Sequence, residues 1–351
     1  MGIKICKIFG VGIFAVISLF CMSGQISAEE LKNSTPTPKP PVEVQIPNRI
    51  VNTSDRMYSY DDYSQDIGEI ARCFPSVAKK EVIGTSYDNR NIYSLIVGNP
   101  KAKRQVMIVS TIHAREWLNT MFLMEKVEYL CRNYNKATYK GKKLASILRD
   151  KCLVLVPMVN PDGVTISQYG PKGIHNAILR KRLKKLPGIR KYKLWKANAR
   201  GVDINRNFAR GWGRGVAHRA GSENFCGKWP ISEKESQALC NYTWTWPNIQ
   251  VIISYHSMGE IIYYNYGAKK SLQKKINNYA KKIRSLTKYH LLWGSRMKKG
   301  DGGFGEWCVY FRKVPSVTPE TGTGGCPLKF SQYNRLRNKN KWVLEEMLAS
   351  N

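Results

Sequence analysis

His113 and Glu116 stand three residues apart in the run His113-Ala114-Arg115-Glu116-Trp117, directly after the apolar run Val106-Met107-Ile108-Val109-Ser110-Thr111-Ile112. That run predicts a buried strand. An imidazole and a carboxylate at a strand end can turn toward one point, and both are zinc ligands. His256 ends a second predicted strand, Gln250 to Tyr255, and completes the three protein ligands that leave a catalytic zinc with an open position. Arg115 adds a fixed positive charge at the same place. No His-Glu-x-x-His run occurs, which excludes a helix-borne zinc protease site.

The elements that must hold these residues alternate. Trp117 to Arg132 carries Leu118, Met121, Phe122, Met124, Val127, Leu130 and Cys131 at helical spacing. Cys152 to Val159 predicts a buried strand, ended by the turn signal Asn160-Pro161-Asp162-Gly163. A helix is expected over 232–246 with Ser232 as its cap, another over 270–286, a strand over 317–320 and a closing helix over 338–348. Strands separated by helices predict a single α/β domain, a mixed, mainly parallel twisted sheet with helices on both faces. Ligands in such sheets bind beyond the carboxyl ends of the strands, where His113, Asn160, His256 and Glu320 all fall.

The chain opens with Lys4 and Lys7, an apolar stretch from Ile8 to Met22 and the small-residue site Ile26-Ser27-Ala28, the pattern of a secretory signal peptide over residues 1–28. Its core is shorter than the ~20 residues a membrane span needs, so no stable membrane anchor is expected after processing. Residues 29–49 contain Ser34-Thr35-Pro36-Thr37-Pro38-Lys39-Pro40-Pro41 and read as a Pro/Thr-rich tether. Residues 50–351 hold the catalytic domain, with no internal repeat. Formal net charge is +32, two of it in the leader, so the exported part would concentrate on polyanions such as anionic cell-wall polymers. The densest basic run, Arg180 to Lys196, has no interleaved aromatic before Tyr192 and fits no nucleic-acid module; a solvated basic loop is expected. Seven cysteines follow the leader, odd in number, scattered and without a Cys-x-x-Cys pair. This argues against a disulfide framework or a cysteine zinc site.

Five motifs then occur in order: His113-Ala114-Arg115-Glu116-Trp117, Asn160-Pro161-Asp162-Gly163, Gly201-Val202-Asp203-Ile204-Asn205-Arg206-Asn207-Phe208, Tyr255-His256-Ser257 and Pro319-Glu320-Thr321-Gly322. Together they resemble the zinc carboxypeptidase (carboxypeptidase A-like) family over about residues 55–349. The resemblance implies one zinc ion per chain held by His113, Glu116 and His256. It makes Glu320 the general base that takes a proton from the attacking water, and Arg115 an oxyanion stabiliser beside the metal. Asn205 and Arg206 are similar to the pair that grips a substrate's free carboxylate, which a guanidinium matches bidentately. Asp203 and Asn207 are expected to be turn-forming support.

Three positions depart from the family pattern. Its second oxyanion arginine falls at Lys196, its mobile tyrosine near Lys298, and the floor of its specificity pocket at Gly305. A glycine floor leaves space for a long side chain, and Lys298 suits a substrate with an extra carboxylate. Trp195-Lys196-Ala197-Asn198-Ala199-Arg200-Gly201-Val202-Asp203 looks like the bacterial branch that includes γ-D-glutamyl-meso-diaminopimelate peptidases. The expectation is a secreted zinc peptidase cutting that bond in peptidoglycan stem peptides. Two other readings stand beside it: a general carboxypeptidase removing C-terminal residues, and an inactive, basic wall-binding protein that keeps the fold.

Overall fold

A computed structural model describes residues 45–54, 57–186, 191–214, 216–293 and 301–350. The expected leader, most of the tether and Lys298 lie outside the described residues. Ten strands occur among the described residues: β1 (Ala78–Thr85), β2 (Asn91–Gly98), β3 (Gln105–Ser110), β4 (Thr138–Tyr139), β5 (Lys142–Lys143), β6 (Cys152–Val156), β7 (Ile249–Tyr255), β8 (Ile261–Tyr263), β9 (His290–Leu292) and β10 (Ser316–Glu320). Eight of them form one sheet in the order β1-β2-β6-β3-β7-β10-β8-β9, while β4 and β5 pair as a small hairpin. The centre, β6-β3-β7-β10, is parallel; β1 and β2 run antiparallel to their neighbours, and β8 is antiparallel to β10 but parallel to β9.

Why the central strands read as unbroken apolar runs is visible in their alternation. Val106 and Ile108 of β3, Leu153 and Leu155 of β6, and Val251 and Ile253 of β7 face one apolar cluster. Helices α1 (Tyr60–Cys73), α2 (Leu118–Arg132) and the 18-residue α3 (Lys270–Thr287) close it with Ile67, Met121 and Ile276. Met107, Val109, Val154, Val156 and Ile252 face a second cluster, where Leu239, Phe208, Phe304 and Trp307 pack. Both faces are therefore dry, as a parallel sheet requires.

Several local expectations change. Asn160-Pro161-Asp162-Gly163 starts a helix instead of closing a turn: the Asn160 side chain accepts from Gly163 N and Pro161 occupies the first helical position of Pro161–Tyr169. The helix expected over 232–246 is Lys234–Trp244 with Glu233 at its cap position, while the Ser232 hydroxyl donates to the Glu233 carboxylate and accepts from Asn207 Nδ2. The single closing helix is two, Tyr333–Asn340 and Val343–Ala349. Part of the basic loop is helical, Ala177–Lys184, capped by Asn176. All seven described cysteines are free thiols. No helix among the described residues is long and apolar enough to cross a membrane.

Glu235, in the first turn of Lys234–Trp244, is fully buried against Glu233 and bonded to Asn198 Nδ2 at 3.2 Å. Burial, with the charges of Asp162 and Glu233, pushes its carboxyl from 4.5 up to about 8. The folded state thus holds a proton that the unfolded chain releases above its own pKa. The resulting contribution is complete below pH ~4.5 and is lost as pH rises toward 8. Glu235→Gln, which stays neutral, is expected to raise the melting temperature at pH 8–9 and to change it little at pH 5. An equal shift at both values would show that this carboxyl carries no pH linkage.

Candidate metal centre and substrate cavity

The left-handed backbone of Thr111, φ 52°, bends the chain at the end of β3. A β-branched residue pays ~1–3 kcal/mol for that conformation. It is held by Thr111 Oγ1, which is 2.7 Å from Thr120 Oγ1, and by Asn160 N donating to Thr111 O at 3.2 Å. Beyond the bend, His113 precedes the short 3₁₀ turn Ala114–Glu116, which brings Glu116 back beneath the imidazole. His256 lies one residue past the neighbouring β7. Parallel pairing of β7 with β10 then sets Glu320 beside it: His256 N donates to Pro319 O at 3.0 Å, and Thr321 N to His256 O at 2.8 Å.

His113 Nδ1 lies 2.7 Å from Glu116 Oε1. His256 Nδ1 lies 3.0 Å from Glu116 Oε2 and 3.0 Å from His113 Nδ1. All three side chains are buried, and their ligand atoms lie within 4.8 Å of one another. Two imidazoles and a carboxylate converging this closely fit one zinc ion at bond lengths of ~2.0–2.2 Å. The far nitrogens differ in their partners, that of His256 hydrogen-bonded and that of His113 only facing a carboxylate without a hydrogen bond. His256 Nε2 is 3.1 Å from Ser254 Oγ, and His113 Nε2 faces Asp203 Oδ1 at 3.4 Å. A carboxylate behind a ligating histidine fixes its tautomer and raises its basicity.

Asp203 does more than shape a turn. Its Oδ1 accepts from Asn205 N at 3.1 Å while Oδ2 accepts from Lys196 Nζ at 2.8 Å and from Asn224 N at 3.2 Å. Burial opposes its ionisation, but Lys196, His113 and Arg206 outweigh this and hold the carboxyl well below the usual range. The sequence offered no signal for this contact, since His113 and Asp203 are ninety residues apart. Asn207, by contrast, is support: its amide donates to Cys226 O and Ser232 Oγ.

His113, Arg115, Glu116, Lys196, Asn205, Arg206, His256, Gly305 and Glu320 all line one cavity of about 500 Å³. Arg206 Nη1 donates to Asn205 O at 2.9 Å, and Asn205 Oδ1 accepts from Phe304 N. This packs the clamp against the Gly302–Trp307 segment. Gly302, φ +85°, must be glycine because a Cβ there would lie 2.3 Å from Arg206 O. Arg115 donates to Leu194 O at 2.8 Å and faces Glu223 at 3.2 Å, an ion-pair arrangement at the rim. Lys196 is committed to Asp203. The room expected at Gly305 is filled, since a Cβ there would lie 3.0–3.2 Å from the Tyr266 ring, whose hydroxyl donates to Thr318. Burial pushes the Glu320 carboxyl up to about 7, with Glu116 adding to the shift and His256 and Lys196 opposing it. The charge of a bound divalent cation acts in the opposite direction and favours the carboxylate.

The sequence profile of the zinc carboxypeptidase family matches residues 63–325. The chain belongs to the zinc carboxypeptidase family. It is a zinc metallopeptidase. It is 25% identical over 292 residues to gamma-D-glutamyl-L-diamino acid endopeptidase 1 of Lysinibacillus sphaericus, covering 82% of this chain and 71% of the relative. Carboxypeptidase B of Rattus norvegicus is 27% identical over 242 residues, 67% of this chain and 54% of that protein. The fold superimposes on crystalline thrombin activatable fibrinolysis inhibitor with a TM-score of 0.69 at 22% identity, covering 86% of this chain and 76% of that one.

Asp203→Asn is expected to weaken zinc affinity by ~10–100-fold, because the supporting charge behind His113 is removed. Competition with a chromogenic chelator measures this; unchanged affinity would reduce Asp203 to a turn residue.

Proposed function

We propose that this metallopeptidase cuts the γ-D-Glu–meso-diaminopimelate bond of peptidoglycan stem peptides outside the cell membrane. The observation that carries the reading is one cavity in which a buried His-Glu-His group, Glu320 and the Arg206 guanidinium stand together. In this reading His113, Glu116 and His256 hold the zinc. When bound, the ion polarises the scissile carbonyl and makes water a stronger acid. Glu320 takes the proton of the attacking water and passes it to the leaving nitrogen. Arg206 and the Asn205 amide hold the free carboxylate of the released residue and so choose which bond meets the base. Lys196, bound to Asp203, keeps a positive charge on the side of the developing oxyanion, and Arg115 contributes from the rim.

The specific bond is supported by the relative named as a γ-D-glutamyl-L-diamino acid endopeptidase. Export is supported by the leader pattern of residues 1–28, and residence on an anionic wall by the formal net charge of +32. An inactive wall-binding protein would be expected to have lost a ligand or the base, and His113, Glu116, His256 and Glu320 are all in place.

Purified zinc enzyme offered L-Ala-γ-D-Glu-diaminopimelate beside hippuryl amino acids should release diaminopimelate preferentially. Cleavage of the hippuryl series alone would replace this reading by a general carboxypeptidase. Glu320→Gln is expected to retain zinc but to lose turnover by ~10²-fold or more, since only the proton acceptor changes. His256→Ala should lose the metal as well, by elemental analysis. Near-normal turnover in Glu320→Gln would remove it as the base.

A further inference from the structure

Helix α3 carries no acidic residue in its 18 positions, and all its basic residues but Arg284 are lysines. Lys270, Lys274, Lys275 and Lys281, with Lys269 at the cap position, are exposed. Their ammonium groups form no ion pair or hydrogen bond among the described residues. Basic groups elsewhere on the surface do meet acids: Glu125 faces Arg49 and Arg337, and Glu260 holds Arg335 and Lys339. Like charges four residues apart on a helix, as at Lys270 and Lys274, repel and destabilise it. Anions supplied from outside would relieve that repulsion.

The row borders a groove of three joined cavities of about 990, 830 and 550 Å³. The first two share Gly267, Ala268 and Ser271, and the second and third share Leu272, Lys275 and Lys313. Lys270 and Lys274 line the first, Lys275 and Lys313 the second, Lys281 and Lys282 the third. None of the lining residues is acidic, and every cation among them is a lysine. Tyr310 and Phe311, 44% and 42% exposed, give the middle cavity an aromatic wall. No side chain caps the first turn of α3, so its amide donors add positive charge at that end. The groove adjoins the catalytic cavity along the chain: Tyr266 and Glu306 line the latter, Gly267 and Val309 the former.

We propose that this groove binds a linear phosphodiester polymer of the cell wall, a chain of alditol or sugar units joined by phosphates. The inference rests on the reading given above that the protein is exported to an anionic wall. Lys270 and Lys282 are twelve positions apart on α3, which places them roughly 18 Å apart at ~1.5 Å per residue. That is more than twice the ~8 Å Debye length at physiological salt, so one small anion cannot answer the whole row and a chain of charges can. A lysine ammonium is a point charge that suits phosphate, whereas a carboxylate polymer is better matched by guanidinium forks, which the groove lacks. Tyr310 and Phe311 offer an apolar surface to the carbon faces of the units between phosphates. A nucleic acid would need stacking platforms repeated along the charge, and the exposed rings stop short of the Lys281 end.

The test titrates the zinc-loaded protein with soluble poly(glycerol phosphate) by calorimetry, at low and at physiological salt. Lys270→Gln, Lys274→Gln, Lys275→Gln and Lys281→Gln combined in one protein should weaken binding by ~10-fold or more and flatten its salt dependence. The matched control combines Lys181→Gln, Arg182→Gln, Lys184→Gln and Lys185→Gln, which removes the same charge from the other basic run, and should cost less than ~3-fold. Equal losses in the two variants would overturn the groove, because net charge alone would then hold the polymer. Absence of binding by the unaltered protein would overturn it too. So would tighter binding of single-stranded DNA or polyglutamate of matched length, which would transfer the groove to another partner. If the fourfold variant does not fold, Lys275→Gln with Lys281→Gln should still lose affinity by ~3-fold or more. Cell fractionation reads export by itself: retention inside the cell would end the wall reading, while the titration judges the groove independently.

Discussion

The buried carboxylate of Asp203 is shared by both halves of the cavity. One oxygen faces His113 Nε2 and holds the backbone of Asn205, while the other binds Lys196 Nζ. The metal centre and the carboxylate clamp are thereby fixed to one rigid group. Ionised in the interior, Asp203 is stable only because several cations and donors surround it at once. That demand pulls His113 from the end of β3, Lys196 from the connecting loop and the 3₁₀ turn Ile204–Arg206 into a single arrangement.

The sheet supplies the remaining precision. Strands β3, β7 and β10 are parallel neighbours, so their carboxyl ends leave the sheet side by side and deliver His113, His256 and Glu320 to one edge. Two dry faces prevent the strands from slipping, because a shift of one residue would exchange the two apolar clusters. One strained residue serves placement of the metal ligands. The left-handed Thr111 starts the bend that returns Glu116 to His113, and hydroxyl contacts to Thr120 hold it there.

Charge in this molecule is divided by depth. The surface is strongly basic, with α3 alone carrying Lys270, Lys274, Lys275, Lys281 and Lys282. The cavity gathers Glu116, Glu320, Asp301 and Glu306 around three cations, Arg115, Lys196 and Arg206. On the proposed reading, a basic exterior would draw the protein toward an anionic polymer over a distance of about a Debye length, whereas the cavity selects by contact. The two functions make opposite demands on charge and are met by separate layers.

The four central strands β3, β6, β7 and β10, the helices after β3 and before β7, and the residues His113, Glu116, His256 and Glu320 were legible in the amino-acid sequence; the flanking strands β1, β2, β8 and β9 and the helix Tyr60–Cys73 were not. Buried parallel strands leave unbroken apolar runs, and metal ligands follow directly where those runs end. Asn205 and Arg206 were legible as a local pattern that resembles a known family. Helix starts were less so: Asn160 and Ser232 are both good capping residues, and only neighbouring partners decided that the first caps while the second bonds Glu233. Asp203 behind His113, Tyr266 beneath Gly305 and Glu306 at the cavity wall left no trace in spacing. Each of these joins segments distant in sequence, so what it does is fixed by which side chain lies across the gap. Residue types determined that zinc chemistry could occur here; tertiary packing decided what stands beside it, because burial leaves each charged group only the partners the fold brings within reach.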